Sequence, residues 1–307
     1  MTQDPSATNR LISSLRSVDL GLPDVAAAEA FFTGTWNLAV AGRDGDAVFL
    51  RGTGADHHLI SLHPAPEPLL RGITFRATSA DALEEIVARA TAHGGTLIAP
   101  RHAVTEPGGG EAVSVRDPQG RVLRFVAGDA RHAHAADRDD HPSRLAHAVL
   151  NSHDVAAAQP FYEALGFKLS DRTRMMAFIR IPQEGHGDHH SIALADADND
   201  CLNHIAFVMP DLESVMRGGG RMRDAGYPIE WGPGRHGPGH NAFNYFVGPA
   251  GFVIEYTAEV EQVDDSYRVG APSDWQWPPG RVDHWGISTP PSAELKEAQK
   301  AVFFAPA

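Results

Sequence analysis

The chain has 307 residues, a net charge of −13 with His neutral, and 42% hydrophobic residues. That is enough apolar material for one large core or two smaller ones, and the acidic balance argues against nucleic acid or an anionic membrane surface as partner. The opening residues carry no apolar signal segment, no apolar run reaches the ~18 residues of a bilayer span, and the one cysteine, Cys201, has no partner for an internal disulfide, so a cytoplasmic protein is expected.

Along the chain the same pattern recurs. A short apolar strand leads into "LGLPDVAAAEAFF" from Leu20, where a helix is expected to start near Pro23, and three further strands follow. The pattern restarts in "LRGITFRATSADALEEIVARATAHGG" from Leu70: a strand, a helix from near Ser79 with Leu83, Ile86, Val87 and Ala90 at helical spacing, and a glycine stop. Three more strands end around the turn Asp117-Pro118-Gln119-Gly120. A polar stretch rich in His and Asp, residues 128–143, then separates a second copy of the whole arrangement. "DVAAAQPFY" repeats "DVAAAEAFF" 130 residues on, with a helix expected near Asp154, and "DHHSIAL" repeats "DHHLISL" 132 residues on. "CLNHIAFVMPDLESVMRGGGRMRDAGY" matches the Leu70 segment with Ile205 on Ile73 and a helix near Pro210, and "GPAGFVIEY" repeats "DPQGRVLRF" 131 residues on. A tail rich in Pro and Trp, from about Val263, reads as an ordered extension. The fold class is therefore α+β, with four βαβββ modules in two tandem cupped-barrel domains, residues 1–135 and 136–307. Each cup has room for a ligand.

A duplication carries its own control, because residues that keep the fold should recur in both copies. Three strand positions differ: His147 lies opposite Ser17, His204 opposite Gly72, and Glu255 opposite Arg124. Each sits in an apolar strand, where a lone polar group needs a partner. As separate residues they read as satisfied core groups. As a triple, two imidazoles and one carboxylate make a face that leaves metal positions open, the arrangement of non-haem Fe(II) oxygen chemistry.

The four units and the strands "LAHAVL", "LNHIAF" and "FVIEYT" resemble the vicinal oxygen chelate superfamily, and within it the two-domain type I extradiol ring-cleavage dioxygenases of the catechol 2,3-dioxygenase kind. The resemblance covers roughly residues 12–285. It implies Fe(II), occasionally Mn(II), held by His147, His204 and Glu255, with O₂ as co-substrate and a first half that has lost its metal site. It further implies that a catechol is cleaved beside its diol, in a homo-oligomeric enzyme of aromatic degradation. "RHGPGHNAFNYFVGPAGFVIEY" resembles the stretch in which a His and a Tyr precede the ligand Glu, which puts His236 and Tyr245 beside the substrate oxygens. The acid–base histidine falls on His190, although His58 occupies the matching place in the first half. Strand alternation sets Val149 and Ile192 on the same face as His147 and His190, and with Phe178 they make an apolar cavity suited to an alkyl- or aryl-substituted catechol. Met175 and Met176 are candidates for its wall. His189 is expected to face away, and His153 and His240 are expected at the surface or in loops. Two other readings compete: a metal-dependent glyoxalase or thiol transferase of the same superfamily, and a metal-free binder of aromatic compounds.

Overall fold

The computed structural model describes residues 10–133, 138 and 140–306, so the junction expected between residues 135 and 136 lies outside the described residues. Two mixed sheets stand in tandem. In the first, β1 (Ile12–Leu22), α1 (Val25–Gly34), β2 (Ala39–Asp44), β3 (Ala47–Arg51) and β4 (Ile60–Pro64) form one unit. The next unit is β5 (Leu69–Ala77), α2 (Ala80–Ala92), β6 (Thr96–Ala103), β7 (Glu111–Arg116) and β8 (Val122–Ala127). The second sheet repeats this with β9 (Arg144–Ser152), α3 (Val155–Ala164), β10 (Lys168–Arg172), β11 (Met176–Arg180), the two-residue β12 (Gly187–Asp188) and β13 (Ile192–Asp196). Its last unit is β14 (Cys201–Val208), α4 (Leu212–Asp224), β15 (Trp231–Arg235), β16 (Ala242–Val247) and β17 (Val253–Ala258). The tail adds β18 (Gln262–Val263), α5 (Ala293–Ala298) and β19 (Val302–Phe303). The α+β architecture of four βαβββ modules is thus present, and both sheets have the same strand order once β12 is set aside: β2-β3-β4-β1-β5-β8-β7-β6 and β10-β11-β13-β9-β14-β17-β16-β15.

Each helix starts where a short polar side chain caps it. Asp24, Ser79, Asp154 and Asp211 each accept a hydrogen bond from the backbone N–H three residues on, which satisfies one of the orphan donors of the first turn. The caps at Asp24 and Asp211 follow the prolines that signal them in the sequence. On α2, Leu83, Ile86 and Ala90 are buried and Val87 is half-buried, so one apolar stripe seats the helix on its sheet.

The halves pack through groups that water does not reach. Trp36, after α1, stacks on Tyr256 of β17 with ring centroids 3.6 Å apart and planes 8° apart, and the Tyr256 hydroxyl donates to the Trp36 carbonyl at 3.0 Å. Arg121 is fully buried: it pairs with Asp117 at 2.8 Å and donates to the carbonyl of Asn151 in β9 at 2.6 Å. The first half therefore clamps the central strands of the second, where the chemistry-bearing residues sit.

Within the first half, Asp129 holds two guanidiniums, Arg76 at 2.8 Å and Arg16 at 3.3 Å. Burial opposes ionisation of Asp129, but the hydrogen bonds and charge of Arg76 and Arg16 outweigh it and set the carboxyl below its ordinary value. Asp129→Ala would take this carboxylate from both guanidiniums, although Arg76 keeps its pair with Asp56 at 2.8 Å, and is expected to cost about 3 kcal/mol, the low end of the scale for breaking a buried pair from one side. The sign with pH follows from the lowered value. The stability due to Asp129 is fully present above the unfolded carboxyl pKa of about 3.9 and is lost as pH falls through the folded value. Denaturant melts of wild type and variant at neutral and acid pH check this; a gap that does not narrow in acid contradicts it.

Candidate metal centre

Strands β9, β14 and β17 lie side by side in the middle of the second sheet. β14 runs antiparallel to β9 and parallel to β17, and the register sets Ala206 opposite both His147 and Glu255. His204, two residues earlier on β14, projects from that same face, because side chains alternate along a strand. The next pairing sets Tyr245 of β16 opposite Glu255. Four residues scattered over a hundred positions of sequence thus meet through backbone register alone.

Their polar atoms close a small triangle. Glu255 Oε2 lies 3.2 Å from His147 Nε2 and 3.2 Å from His204 Nε2, and the two Nε2 atoms are 3.4 Å apart. All three residues are buried, and among the described residues theirs is the one group of His, Cys, Asp or Glu with geometry to hold a metal ion. His204 Nδ1 faces the Asn203 side-chain oxygen at 2.8 Å. An amide oxygen only accepts, so Nδ1 donates and Nε2 keeps its lone pair, the form a metal ligand needs. Two imidazole nitrogens turned on one another around a carboxylate, out of water, lack a protein group that satisfies all of them. A divalent cation fits that donor set.

The electrostatics agree. Burial alone would raise the Glu255 carboxyl, but the charge of His147 and the hydrogen bonds of His147, His204 and His236 hold it well below the usual carboxylate range. Burial pushes His204 down to about 4, with Glu255 offsetting only part of the cost. The site is thus a carboxylate with a neutral imidazole, the protonation state in which both groups ligate.

Around the triangle stand the other residues expected from the sequence. His190 is buried beside His147, with ring centroids 4.3 Å apart; burial, then the proximity of His147 and His189, drives it well below its ordinary value. The Tyr245 hydroxyl lies 3.0 Å from His236 Nε2 and 3.4 Å from His204 Nε2, and burial and the Glu255 charge raise its pKa. A cavity of about 500 Å³ opens over these groups, walled by Val149, Met175, Met176, Phe178, Trp231 and Trp277.

One expected wall residue is elsewhere. Ile192 is fully buried in the main hydrophobic core and does not line the cavity, whereas its neighbour Ala193 packs with Val149 and Phe178. The alternation counted from His190 fails because His190 and Ser191 precede β13: a bend at Ser191 resets the face before the strand begins at Ile192. His189 turns away from the centre toward Asp171. His153 is exposed and paired with Asp200, and His240 sits in a loop.

Several neighbours were not legible from the sequence. Asn241 donates to Glu255 Oε1 at 3.4 Å and to Thr257 Oγ1 at 2.7 Å. Trp275, Trp277 and Val282 from the tail, and Gln299 after α5, reach the cavity. The paired tryptophans in "SDWQWPP" were the signal for the tail residues: two large aromatics amid prolines need something to cover.

The first half holds different chemistry at the same places. Ser17 faces Thr74, which in turn faces Arg124, the same register as His147, Ala206 and Glu255. Arg124 is paired with Glu106 at 2.7 Å. Arg124→Ala, Gly72→Ala and Ser17→Ala are therefore expected to leave the metal content unchanged. Plasma emission analysis of the purified variants checks this, and loss of metal from a folded Arg124→Ala protein contradicts it.

Relatives agree with this picture. Metapyrocatechase 2 of Cupriavidus necator is 32% identical over 192 residues, 60% of this chain and 51% of that protein, so the match spans about half of that relative's length. The crystal structure of a Mn(II)-bound glyoxalase from Novosphingobium aromaticivorans superposes with a TM-score of 0.84 at 33% identity, covering 93% of this chain and 94% of the other. Homoprotocatechuate 2,3-dioxygenase from Brevibacterium fuscum, in an anaerobic complex with 3,4-dihydroxyphenylacetate, shares the fold with a TM-score of 0.82 at 22% identity, over 95% and 94% of the two chains. The family model described as Glyoxalase/Bleomycin resistance protein/Dioxygenase superfamily matches residues 14–125 and again 144–256, one match for each half of the duplication, and the chain belongs to that superfamily.

Proposed function

We propose that this chain is an extradiol dioxygenase that opens a catechol ring beside its diol with O₂. The catalytic half is residues 136–307, and residues 1–135 serve as a non-catalytic partner domain. The observation that carries this reading is the His147–His204–Glu255 triangle at the base of an apolar cavity, with His190 alongside and, among the described residues, no equivalent triangle in the other half. When bound, an Fe(II) ion, or Mn(II) in its place, would supply a Lewis-acidic, redox-active centre for diol and O₂. His147, His204 and Glu255 would hold it. His190 accepts a proton from the diol at Nε2 and later returns it, a role suited to an imidazole. Tyr245 and His236 donate toward substrate oxygens as charge develops there. The apolar wall of Val149, Met176 and Phe178 favours an alkyl- or aryl-substituted ring, and the tail tryptophans limit water entry. The relative named metapyrocatechase supports the same chemistry.

The lone cysteine supports action in the cytoplasm, and among the described residues no helix is long and apolar enough to cross a membrane. Edge strand β6, with Leu97 and Ile98 more than 40% exposed, supports a homo-oligomer.

One observation favours a second reading, a metal-dependent glyoxalase: the 33% identical structure from Novosphingobium is named a Mn(II)-bound glyoxalase. The test is a paired assay on protein reloaded with Fe(II) or Mn(II) without air. With a methyl- or phenyl-substituted catechol, oxygen uptake equal to the diol consumed is expected, and the glutathione hemithioacetal of methylglyoxal should be left unchanged. Hemithioacetal turnover without oxygen uptake would support the second reading instead.

A further inference from the structure

Beside His190 lies a second, fully buried polar group outside the His147–His204–Glu255 triangle. His189 Nδ1 is 3.1 Å from His190 Nδ1, and His189 Nε2 is 2.8 Å from Asp171 Oδ2. Asp171 and His189 are both completely buried. Asp171 is held in place from the tail: the Gly270 N–H donates to Oδ1 at 2.7 Å and the Tyr267 hydroxyl to Oδ2 at 3.2 Å. Gly270 approaches so closely that a Cβ there would overlap the carboxylate.

Hydrogen-bond bookkeeping along this chain has one solution for neutral rings. A carboxylate only accepts, so His189 carries its proton on Nε2 and leaves Nδ1 bare. His190 must then donate from Nδ1, which leaves its Nε2 with a free lone pair, and His190 is among the residues that line the cavity. We infer that Asp171 and His189 form a positioning relay that fixes His190 in the tautomer able to accept a proton from substrate. The inference rests on the acid–base role given to His190 above.

The duplication supplies a control within the molecule. The first half keeps the histidine pair, with His57 Nδ1 and His58 Nδ1 3.0 Å apart. It lacks the carboxylate. Asp171 pairs with Phe178 across β10 and β11, and the matching pair across β2 and β3 is Gly42 with Phe49. His58 Nε2 is there met by the Arg16 guanidinium at 2.5 Å. The histidine pair therefore persists without an acid where Arg16 occupies the outer nitrogen, and the acid is present in the half that holds the His147–His204–Glu255 triangle.

Asp171→Asn gives a definite expectation. Gly270 N–H requires an oxygen at the Oδ1 place, so the amide NH₂ faces His189 Nε2. That inverts both rings and puts a proton on His190 Nε2. Turnover should fall by at least about 10²-fold with metal content unchanged; in the serine-protease triad the same wrong-tautomer defect costs about 10⁴. The direct readout is a long-range proton–nitrogen NMR correlation on the metal-free full chain, with the His190 signals identified by their absence in His190→Phe. Wild type should show a bare Nε2, and Asp171→Asn a protonated one. A protonated His190 Nε2 in wild type overturns the relay, and so does an Asp171→Asn protein with wild-type tautomer and turnover. If the variant does not fold, the wild-type spectrum alone decides. Because the spectrum needs no turnover, a wild type inert toward catechols would sink the dioxygenase reading while leaving the relay standing.

Discussion

Glu255→Gln is expected to lower metal affinity more than about 100-fold, because outer-shell partners of metal ligands alone are worth about 10–100-fold and Glu255 is proposed as a ligand itself. The carboxamide keeps the volume of the side chain but turns one of its two oxygens into a donor, and it removes the negative charge that both imidazoles face at 3.2 Å. His147→Ala and His204→Ala should act in the same way, each deleting one corner of the triangle. The fold should survive, since His147 and His204 line the cavity and Glu255 faces them, while the core of the sheet is built from the opposite face, from residues such as Ala148, Ile205 and Ile254. Metal titration followed calorimetrically, with thermal melts of the metal-free proteins, separates the two effects. Stoichiometric metal in any one variant would remove that residue from the ligand set.

His190→Phe should retain metal and bind catechol while losing about 10²-fold or more in kcat, the usual scale of general acid–base help. Its partner in the first half gives the contrast. His58→Phe should leave kcat nearly untouched but cost stability, because it takes from the buried Arg16 the imidazole nitrogen at 2.5 Å; a lost partner of a buried polar group is worth about 1–3 kcal/mol. Steady-state kinetics and denaturant melts on both variants check the pair. Equal effects on kcat would reduce the doubled histidines to an inheritance of the duplication.

How far the sequence reached can be followed residue by residue. The fold was legible because it is written twice: two copies at a near-constant offset mark the same strands and caps, and both sheets then adopt one strand order. The same comparison isolated His147, His204 and Glu255, since strand register carries alignment offsets directly into space. Legibility ended where regular structure ended. Ile192 was put on the wrong face because a bend, invisible to period-two counting, separates His190 from β13. Asp171 passed unnoticed because its partner His189 lies 18 residues on and its other contacts come from the tail. Trp275 and Trp277 announced an ordered tail but not that they reach the cavity, because a chain segment without periodicity has no face to predict.

The most direct test of the whole account is turnover of a substituted catechol under ¹⁸O₂ by the anaerobically reloaded enzyme, with the ring-opened product analysed by mass spectrometry. Both oxygen atoms of one O₂ should appear in a product cleaved beside the diol, in wild type and in Arg124→Ala alike, and none should form with Glu255→Gln. A product that carries no ¹⁸O, or full activity in the Glu255 variant, would contradict it.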